Sequence, residues 1–314
     1  MPRESALIES LRALAATPCA RGLLDDAAVL EIGGTTLVLT HDMLVEGVHY
    51  LPSDPPEDVA WKLVAVNLSD LAAKGARPVG VLMGYTLGEE AWDAAFVAGL
   101  GAALSAFGVA LLGGDTVAGP AGAPRTLGMT AVGEAAGPVP SRGGAQAGDR
   151  LWVSGTIGDA GAGLTILRGE IEGAEALVRR YRRPEPRLAA GEALAPLVSA
   201  IMDVSDGLLI DASRIAGASG VRLAIDLAAV PLSEALLACR GDSREARLAA
   251  ATAGDDYELL FTAPPERDAA IVTLADLLEL RLSRVGAVEA GSGLLLTDAG
   301  EAVALPSRLG WEHG

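Results

Sequence analysis

Apolar runs of strand length alternate along the first half of the chain with longer segments of helical periodicity. The strand-like run "TLVLTHD" precedes the helical pattern of "PEDVAWKLVAVNLSDLAAKG", and the run "VGVLMGYTL" precedes a second helical pattern that starts near Glu89. Strands that alternate with helices are typical of layered α/β or α+β domains, and not of all-helical or all-strand folds. The pattern therefore predicts such layers in this half of the chain.

A connector rich in Gly, Pro and Ser follows, at residues 135–149, directly after the strand-like run "TLGMTAVGEA". Connectors of this composition mark domain boundaries. The chain has 314 residues, which is long for a single hydrophobic core. We therefore predict two domains, at residues 1–137 and 148–314.

The second half of the chain shows the same alternation of strand-like and helix-like segments as the first half. "RLWVSG" and "AIMDVS" are typical of strands, whereas "DAGAGLTILRG" and "DGLLIDASRIAGASG" are typical of helices. The fold class expected from both halves is α/β, or more broadly a two-domain α+β arrangement.

One uncharged stretch, residues 94–114, is long enough to cross a bilayer. It is rich in Ala and contains several glycines, so we interpret it as a helix that ends near Gly108, followed by the strand "VALL". The N-terminal segment "MPRESALIESLRALAA" has acidic residues among leucines at helical spacing, unlike a signal peptide. No membrane association is expected.

The charge balance narrows the possible partners. Against 41 acidic residues there are 24 basic ones, a net charge of −17, and the only lysines are Lys62 and Lys74. Nucleic-acid backbones and anionic membranes require basic surfaces, so neither is expected as a partner. The two cysteines, Cys19 and Cys239, form no CxxC pair, which favours a reducing, cytoplasmic location.

Aspartates recur where apolar runs end or glycine turns begin. Because strand ends in α/β folds converge on one crevice, these carboxylates could share a site. Asp is also a favoured helix N-cap, and Asp70 and Asp206 precede helical patterns, so capping remains the alternative for each one singly. The aspartates concerned are Asp25, Asp26, Asp42, Asp70, Asp115, Asp203 and Asp206.

Converging carboxylates require cations. Two like charges about 4 Å apart cost about 4 kcal/mol at an effective dielectric constant of roughly 20. Since no Cys or His cluster accompanies the aspartates, hard ions such as Mg²⁺ or Mn²⁺ fit best. Magnesium held by carboxylates usually completes its ligand shell with water and substrate phosphates, so phosphoryl transfer is the leading chemistry.

No Walker motif or kinase glycine loop is present, so a nucleotide would be held in another way. The glycine-rich candidates for close backbone approach are "LLGGDT" and "VSGTIGDAGAG". In a chain with 39 glycines, plain turns remain the alternative for both.

The stretch "MDVSDGLLID" contains three aspartates with no cation nearer in sequence than Arg214. We expect Asp203 and Asp206 to face a cation supplied from outside the chain. Asp211 lies five positions after Asp206, about 140° around a helix axis, so its side chain is expected to point elsewhere.

With these motifs assembled, the sequence resembles the thiamine-monophosphate kinases, of the aminoimidazole-ribonucleotide-synthetase-like superfamily. The resemblance runs nearly end to end. The matching segments are "DDAAV", "THDMLVEGVHY", "AVNLSDLAAKGARP", "GGDT", "SRGGAQAGD", "SGTIGDAGAGL", "RRPEPR", "DVSDGL", "GDDYELLF" and "GWEH".

The resemblance implies an activity and an assembly. Members phosphorylate thiamine monophosphate to thiamine diphosphate with ATP and several Mg²⁺ ions, by direct in-line transfer without a phosphoenzyme. It implies a homodimer whose N-terminal sheet domains form a barrel across the two subunits, with a C-terminal α/β layer domain packed against it. ATP is then expected where the two domains meet, and K⁺ is a further candidate ion.

The resemblance also assigns roles to individual residues. It gives no residue the role of general base and implies that Asp42, Asp115 and Asp206 assist the transfer. The metal ligands it implies are Asp26, Thr40, His41, Asp42, Asp70, Asp115, Asp203 and Asp206. The residues implied for ATP are Gly114, Asp115, Arg142 and Ser205, and those for the thiamine substrate are His49, Asp255 and Trp311.

Three departures from the family pattern bear on these roles. The segment "GLLDD" lacks the glycine that usually stands just before the acidic pair. His41 stands where Thr is common, so its contact survives only if it is made by the backbone carbonyl. Asp255 replaces a frequent Glu, which shortens the reach to substrate by one methylene group. Ordinary packing or loop roles remain the alternatives for Trp311 and His49.

Two other functions stay open on the sequence. The chain could be another ATP-using enzyme of the superfamily that acts on a different small molecule. Selenophosphate enzymes of this kind pair a reactive N-terminal Cys with a nearby Lys, and Cys19 has no such partner in sequence. The second alternative is a non-catalytic nucleotide-binding module, which would be expected to lose metal carboxylates that this chain keeps.

Overall fold

A computed structural model of the chain describes residues 3–120 and 122–312. Its first sheet has five strands, in the spatial order β1-β2-β5-β3-β4. β3 and β4 are parallel, and the other neighbours are antiparallel. The strands are β1 (Ala28–Ile32), β2 (Thr35–Val45), β3 (Arg77–Leu87), β4 (Ala110–Ala118) and β5 (Thr126–Ala135).

The second sheet has seven strands, in the order β12-β11-β8-β10-β6-β9-β7. Within it β8 and β11 pair in parallel, and the remaining neighbours are antiparallel. The strands are β6 (Arg150–Ser154), β7 (Ala200–Asp203), β8 (Arg222–Asp226), β9 (Leu259–Ala263), β10 (Leu282–Glu289), β11 (Gly293–Asp298) and β12 (Glu301–Val303).

Helices pack on both sheets, which confirms the predicted mixed α/β fold with two sheet regions. They are α1 (Arg3–Arg12), α2 (Pro56–Ala73), α3 (Glu90–Phe107), α4 (Asp159–Leu167), α5 (Glu175–Arg182), α6 (Leu188–Leu194), α7 (Leu208–Ser219), α8 (Glu234–Arg240), α9 (Arg244–Ala251) and α10 (Asp268–Leu277). Short 3₁₀ turns lie at Pro18–Leu23, Leu227–Ala229 and Pro265–Arg267.

Helix α2 is the central element of the molecule. It contacts β2 and β5 of the first sheet, β7 of the second, and helices α3 and α6. As a result 14 of its 18 residues are buried, as is usual for a helix packed on all sides. Proline at its first position and two acidic residues in its first turn favour the helix start. Polar side chains on α2 are therefore carried into the interior, where they need partners.

The uncharged stretch divides as its glycine pattern predicts. Helix α3 ends at Phe107, and Gly108 adopts a left-handed conformation with φ of 65° before β4 begins. No helix within residues 3–120 and 122–312 is long and apolar enough to cross a membrane.

Candidate metal and nucleotide site

Three carboxylates from distant parts of the sequence converge where α2 packs against β7. Asp26 precedes β1, Asp70 lies on α2 and Asp203 ends β7. One carboxylate oxygen of each residue lies within 4.8 Å of one from each of the others. The three side chains are almost fully buried. The structure thus brings together three of the predicted metal ligands.

Hydroxyl and amide groups of neighbouring elements hold these carboxylates in place. Thr40 on β2 donates its hydroxyl hydrogen bond to Asp70. The Ser69 hydroxyl donates to Asp203 Oδ2 at 2.6 Å. On the same strand as Thr40, the backbone N–H of Asp42 donates to Asn67 Oδ1 at 3.0 Å, which ties β2 to α2.

Burial and mutual repulsion raise the pKa of most of these acids. Burial, followed by the charges of neighbouring aspartates, raises the pKa of Asp70 well above its usual value. Burial and then the nearby Asp26 raise the pKa of Asp203 to about 8. Burial and the charges of Asp26 and Asp206 raise the pKa of Asp42 to about 6. The ionised form of this group of acids is therefore costly until a cation neutralises it.

Asp26 differs because the chain supplies its cations. Burial alone would raise its pKa, but Lys74 and Arg142 outweigh that effect and hold the pKa well below the usual range. Lys74 Nζ lies 2.6 Å from Asp26 Oδ2, and Arg142 Nε donates to Asp26 Oδ1 at 2.8 Å. Lys74 Nζ also lies 2.5 Å from Asp25 Oδ1, and Arg21 forms an ion pair with Asp25.

The prediction that the Asp211 side chain points away from Asp206 is wrong. Arg214 Nη1 lies 2.6 Å from Asp206 Oδ2 and 2.6 Å from Asp211 Oδ1, so a cation of the chain joins the two. Asp211 also accepts hydrogen bonds from the backbone N–H groups of Asp206 and Gly207. The angular argument fails because α7 begins at Leu208, so Asp206 is outside the helix.

The helix-cap alternative also fails for both residues named in it. Asp70 lies well inside α2, within its last turns, and not before a helix. The N-cap of α7 is Gly207, without a side-chain cap, and Asp211 accepts the hydrogen bonds of the Asp206 and Gly207 N–H groups just before the helix.

Two predicted ligands face away from the carboxylates. The register aligns His41 with Thr130 and Leu82 across the sheet, on the face opposite to Asp42. The His41 ring is exposed, and its Nδ1 lies 2.9 Å from the Thr130 hydroxyl. Only the backbone of His41 is therefore close to the carboxylate side of β2. Asp115 is exposed on the edge strand β4, on the same outer face.

The glycine pair of β4 is remote from the cluster in this chain. Gly114 shares a cross-strand row with Met83, Met129 and Asp42, three strands away. At about 4.8 Å per strand this separation is about 14 Å. Gly114 has φ of 155°, and a Cβ there would overlap the Met83 carbonyl, so the close pairing of β3 and β4 requires glycine.

The other glycine-rich candidate binds a carboxylate of the protein itself. The Gly158 N–H donates to both oxygens of Asp256, at 3.0 and 2.8 Å. A Cβ at Gly158 would collide with Ala250, and one at Gly163 would collide with the backbone of Leu177. These glycines serve tight packing of α4, as the turn alternative anticipated.

The residues predicted for the thiamine substrate lie together beside the cluster. Lys62 Nζ donates to Asp255 Oδ2 at 2.9 Å and to the His49 carbonyl at 3.0 Å. The same ammonium lies 4.0 Å from the centre of the Tyr181 ring. Tyr257 donates its hydroxyl to Asp255 Oδ1 at 3.2 Å. Asp255 is thus fixed by two side chains.

The backbone of residues 205–206 joins the substrate group to the metal group. The Asp255 N–H donates to the Ser205 carbonyl at 2.7 Å, and the Trp311 N–H donates to the Asp206 carbonyl at 2.9 Å. Asp255 adopts a left-handed φ of 69°, a conformation that is strained for a residue with a side chain. The hydrogen bonds just described hold it there.

Sequence reasoning missed both lysines. Lys62 and Lys74 lie on or directly after α2 and are fully buried, although lysine is rarely buried without a partner. Each meets an aspartate that had been singled out, Asp255 or Asp26. A usable signal was present, since the only two lysines of an acidic chain fall in one strongly apolar helical segment.

The donor set of the cluster fits a hard divalent cation. It consists of carboxylate oxygens together with the Thr40 hydroxyl, without thiol or imidazole groups near them among the described residues. Such oxygen sets suit Mg²⁺ or Mn²⁺. The raised pKa values of Asp42, Asp70 and Asp203 indicate that an added cation would be favourable there.

Comparisons with known proteins agree with this arrangement. The family models for AIR synthase related protein match over residues 24–135 for the N-terminal domain and 146–298 for the C-terminal domain. The thiamine-monophosphate kinase of Caulobacter vibrioides is 43% identical over 306 residues, 95% of this chain and 86% of that protein.

Solved structures also resemble the chain over most of its length. The structure of AaThiL complexed with AMPPCP and TMP has a TM-score of 0.86 and 33% identity, covering 99% of this chain and 97% of that one. The thiamine-monophosphate kinase from Stenotrophomonas maltophilia has a TM-score of 0.77 and 37% identity, covering 95% and 96%.

Proposed function

Because the chain belongs to the thiamine-monophosphate kinase family of AIR synthase related proteins, we propose that it transfers the γ-phosphate of ATP to thiamine monophosphate, forming thiamine diphosphate. One observation carries the proposal. The buried carboxylates Asp26, Asp70 and Asp203 converge beside a second group, Asp255, His49 and Trp311, and the backbone of residues 205–206 connects the two.

The carboxylate cluster is proposed to bind several Mg²⁺ ions, with K⁺ as a further candidate. The proposed ligands are Asp26, Thr40, the His41 backbone, Asp42, Asp70, Asp115, Asp203 and Asp206. When bound, Mg²⁺ neutralises the phosphate oxygens of both substrates and the negative charge that develops during transfer. The raised pKa values of Asp42 and Asp203 support this role, since metal binding would favour their ionised forms.

The residues of the chain position two anions for an in-line reaction. The acceptor is a phosphate that is already ionised, so no general base is required. Catalysis depends on orientation and charge neutralisation, which Asp42, Asp115 and Asp206 assist through the ions that they hold. Arg142 and Ser205, with Gly114, are proposed to contact ATP. Arg142 can bind phosphate oxygens in a bidentate manner once it leaves Asp26.

The thiamine part of the acceptor is assigned to the second group. Trp311 is half exposed and offers an aromatic face on which a cationic thiazolium ring could stack. Asp255, held by Lys62 and Tyr257, provides a carboxylate for an amine or a positive charge. His49 contributes its backbone to the same support through Lys62.

A homodimer is proposed because one face of the first sheet is not covered by the described helices. Met43 and Leu82 on this face are 49% and 42% exposed, and the edge strand β4 exposes Leu111 and Val117. A second copy of the chain is the occupant that family membership favours, with the two sheets forming a barrel. Gly114 and Asp115 of one copy would then complete the site of the other.

The division into domains at residues 1–137 and 148–314 remains part of this proposal. It is supported by the separate sheets, β1 to β5 and β6 to β12. A cytoplasmic location is likewise proposed from the cysteine usage, and both Cys19 and Cys239 are free thiols.

A direct assay tests the proposed reaction. Purified chain with ATP, Mg²⁺ and thiamine monophosphate is expected to form thiamine diphosphate, and excess chelator should abolish the product. Asp42→Asn and Asp206→Asn should remove activity, whereas Asp276→Asn, at an exposed position of α10, serves as the matched control and should not. ATP binding without turnover by folded wild-type protein would refute the proposal and favour a non-catalytic module.

A further inference from the structure

Lys74 occupies an unusual place beside the carboxylate cluster. It directly follows α2, four residues after Asp70, and none of its side chain is exposed. Its ammonium group lies 2.5 Å from Asp25 Oδ1 and 2.6 Å from Asp26 Oδ2. A lysine buried this deeply is rare and is found where specific anions compensate its charge.

The cations near the cluster are unevenly distributed. Asp26 is contacted by Lys74 at one oxygen and by Arg142 at the other, and Asp25 is contacted by Lys74 and Arg21. At the other end, the hydrogen bonds that Asp70 and Asp203 receive come from neutral hydroxyl groups, of Thr40 and Ser69. A divalent ion is therefore most needed at the Asp70 and Asp203 end.

We propose that the Lys74 ammonium acts as a built-in cation at the Asp26 end of the cluster and weakens divalent-ion binding there. The inference rests on the proposed magnesium site. Lys74 and Arg142 differ in how easily their side chains can move away from Asp26. Arg142 is partly exposed, whereas Lys74 is enclosed and also lies 3.4 Å from the Ile201 carbonyl. Arg142 can move to a phosphate, but Lys74 stays with Asp26.

The test compares Lys74→Met with wild-type full-length protein. Methionine has a similar length without the charge, so Asp26 Oδ2 loses its ammonium and becomes available to a metal ion. Without nucleotide, Mn²⁺ titration followed by electron paramagnetic resonance is expected to show about tenfold tighter binding by the variant, because a positive charge next to the site has been removed. In chelator the variant should melt roughly 10 °C lower, and Mg²⁺ should restore most of the loss.

Lys62→Met is the matched control. Lys62 is also buried, on the same helix, but it pairs with Asp255 outside the cluster. This variant should also melt at a lower temperature, yet Mg²⁺ should not restore it and Mn²⁺ affinity should stay at the wild-type value. If Lys74→Met does not fold without metal, the double variant Asp25→Asn/Lys74→Met removes one of the two carboxylates that lose the ammonium and keeps Asp26.

The outcomes separate this inference from the proposed function. Wild-type Mn²⁺ affinity in Lys74→Met and in the double variant would overturn the role of Lys74 and leave the magnesium site intact. Equal rescue of Lys62→Met and Lys74→Met by Mg²⁺ would overturn it as well. If neither the wild type nor the variants bind Mn²⁺, with or without an ATP analogue, the magnesium site itself is wrong.

Discussion

Two buried acidic centres of this molecule differ in whether the protein itself supplies cations to neutralise them. Glu258 directly precedes β9 of the second sheet and is completely buried. It pairs with Arg180 Nη2 at 2.7 Å and with Arg187 Nη2 at 2.5 Å. Ser154 adds a hydroxyl hydrogen bond at 2.6 Å. In the metal cluster, Asp70 and Asp203 accept hydrogen bonds from the neutral hydroxyl groups of Thr40 and Ser69. The pKa values of both aspartates are raised.

The contrast distinguishes structure from function. A carboxylate that is paired with arginines of its own chain is complete when the chain folds, and removing it leaves buried charge behind. A group of carboxylates that repel one another is incomplete and stores a preference for an external cation. The first kind of centre stabilises the fold, whereas the second kind is the one that we propose to bind the ions of the reaction.

The largest expected effect comes from the incomplete centre. Asp203→Asn should lower kcat/KM for thiamine diphosphate formation by about 1000-fold, since it removes a proposed ligand of the ions that stabilise the transition state. In chelator above about pH 8, where Asp203 is ionised, the variant should be at least as stable as the wild type, because one of the repelling charges is gone. Enzyme kinetics and urea unfolding measure the two effects. A variant that is both active and destabilised would invert the comparison.

Glu258→Gln should show the opposite pattern, with a loss of stability. Arg180 and Arg187 would keep their charges without the anion that binds both, at a cost of about 3 kcal/mol in the free energy of unfolding. Urea unfolding should give the same loss with and without Mg²⁺. Glu185→Gln is the matched control, since Glu185 pairs with the same Arg187 but is 49% exposed, and its loss should stay below about 1 kcal/mol.

The pH dependence of stability sharpens the comparison further. Asp203 and Asp42 have pKa values of about 8 and about 6 in the folded protein, above the unfolded value near 4. Their folded forms bind extra protons, so their contribution to stability is complete below pH 4 and is lost as the pH rises to 8. Because the pKa of Asp26 is lowered, its contribution to stability changes only at lower pH.

In chelator, the melting temperature of the wild type should therefore fall between pH 5 and pH 8. Saturating Mg²⁺ should flatten this slope because it binds the ionised carboxylates. Asp203→Asn should reduce the slope above pH 7, to which Asp70 also contributes, whereas Glu258→Gln should leave the slope unchanged. A flat profile in chelator would show that the cluster is neutralised without metal.

The smallest expected effect comes from a subunit-exchange experiment. It tests whether a second copy of the chain supplies Asp115 to the metal cluster. Asp42→Asn and Asp115→Asn homodimers should each be inactive. After subunit exchange half of the dimers contain one of each, and half of their sites combine an unchanged Asp42 with an unchanged Asp115, so about a quarter of the wild-type activity should return. No recovery, with exchange verified by mass spectrometry, would place both residues in one chain's site.

The sequence was sufficient for the fold class and for the family. The alternation of apolar runs predicted the strands and helices, and Gly108 marked the end of α3 because only a residue without a side chain adopts its conformation cheaply. Unpaired aspartates in an acidic chain pointed to a hard cation, and the motif order pointed to the family.

The tertiary structure decided which groups each aspartate contacts and in which direction its side chain points. Spacing along α7 misplaced Asp211, since the helix starts after Asp206. The Asp211 side chain turns back and accepts hydrogen bonds from the Asp206 and Gly207 N–H groups just before the helix. The helical pattern around Asp70 left capping as an alternative role, but the helix continues past Asp70 and buries it.

For the same reason, the sequence did not show which aspartates the two lysines neutralise. Lys74 meets Asp26 across 48 positions, and Lys62 meets Asp255 across 193, because α2 packs between the two sheets. Residue types along the chain determined that buried charge would need compensation. Which charges meet depends on how distant segments pack, so only the folded structure could separate the carboxylates already neutralised by the protein from those that receive only neutral hydroxyl groups.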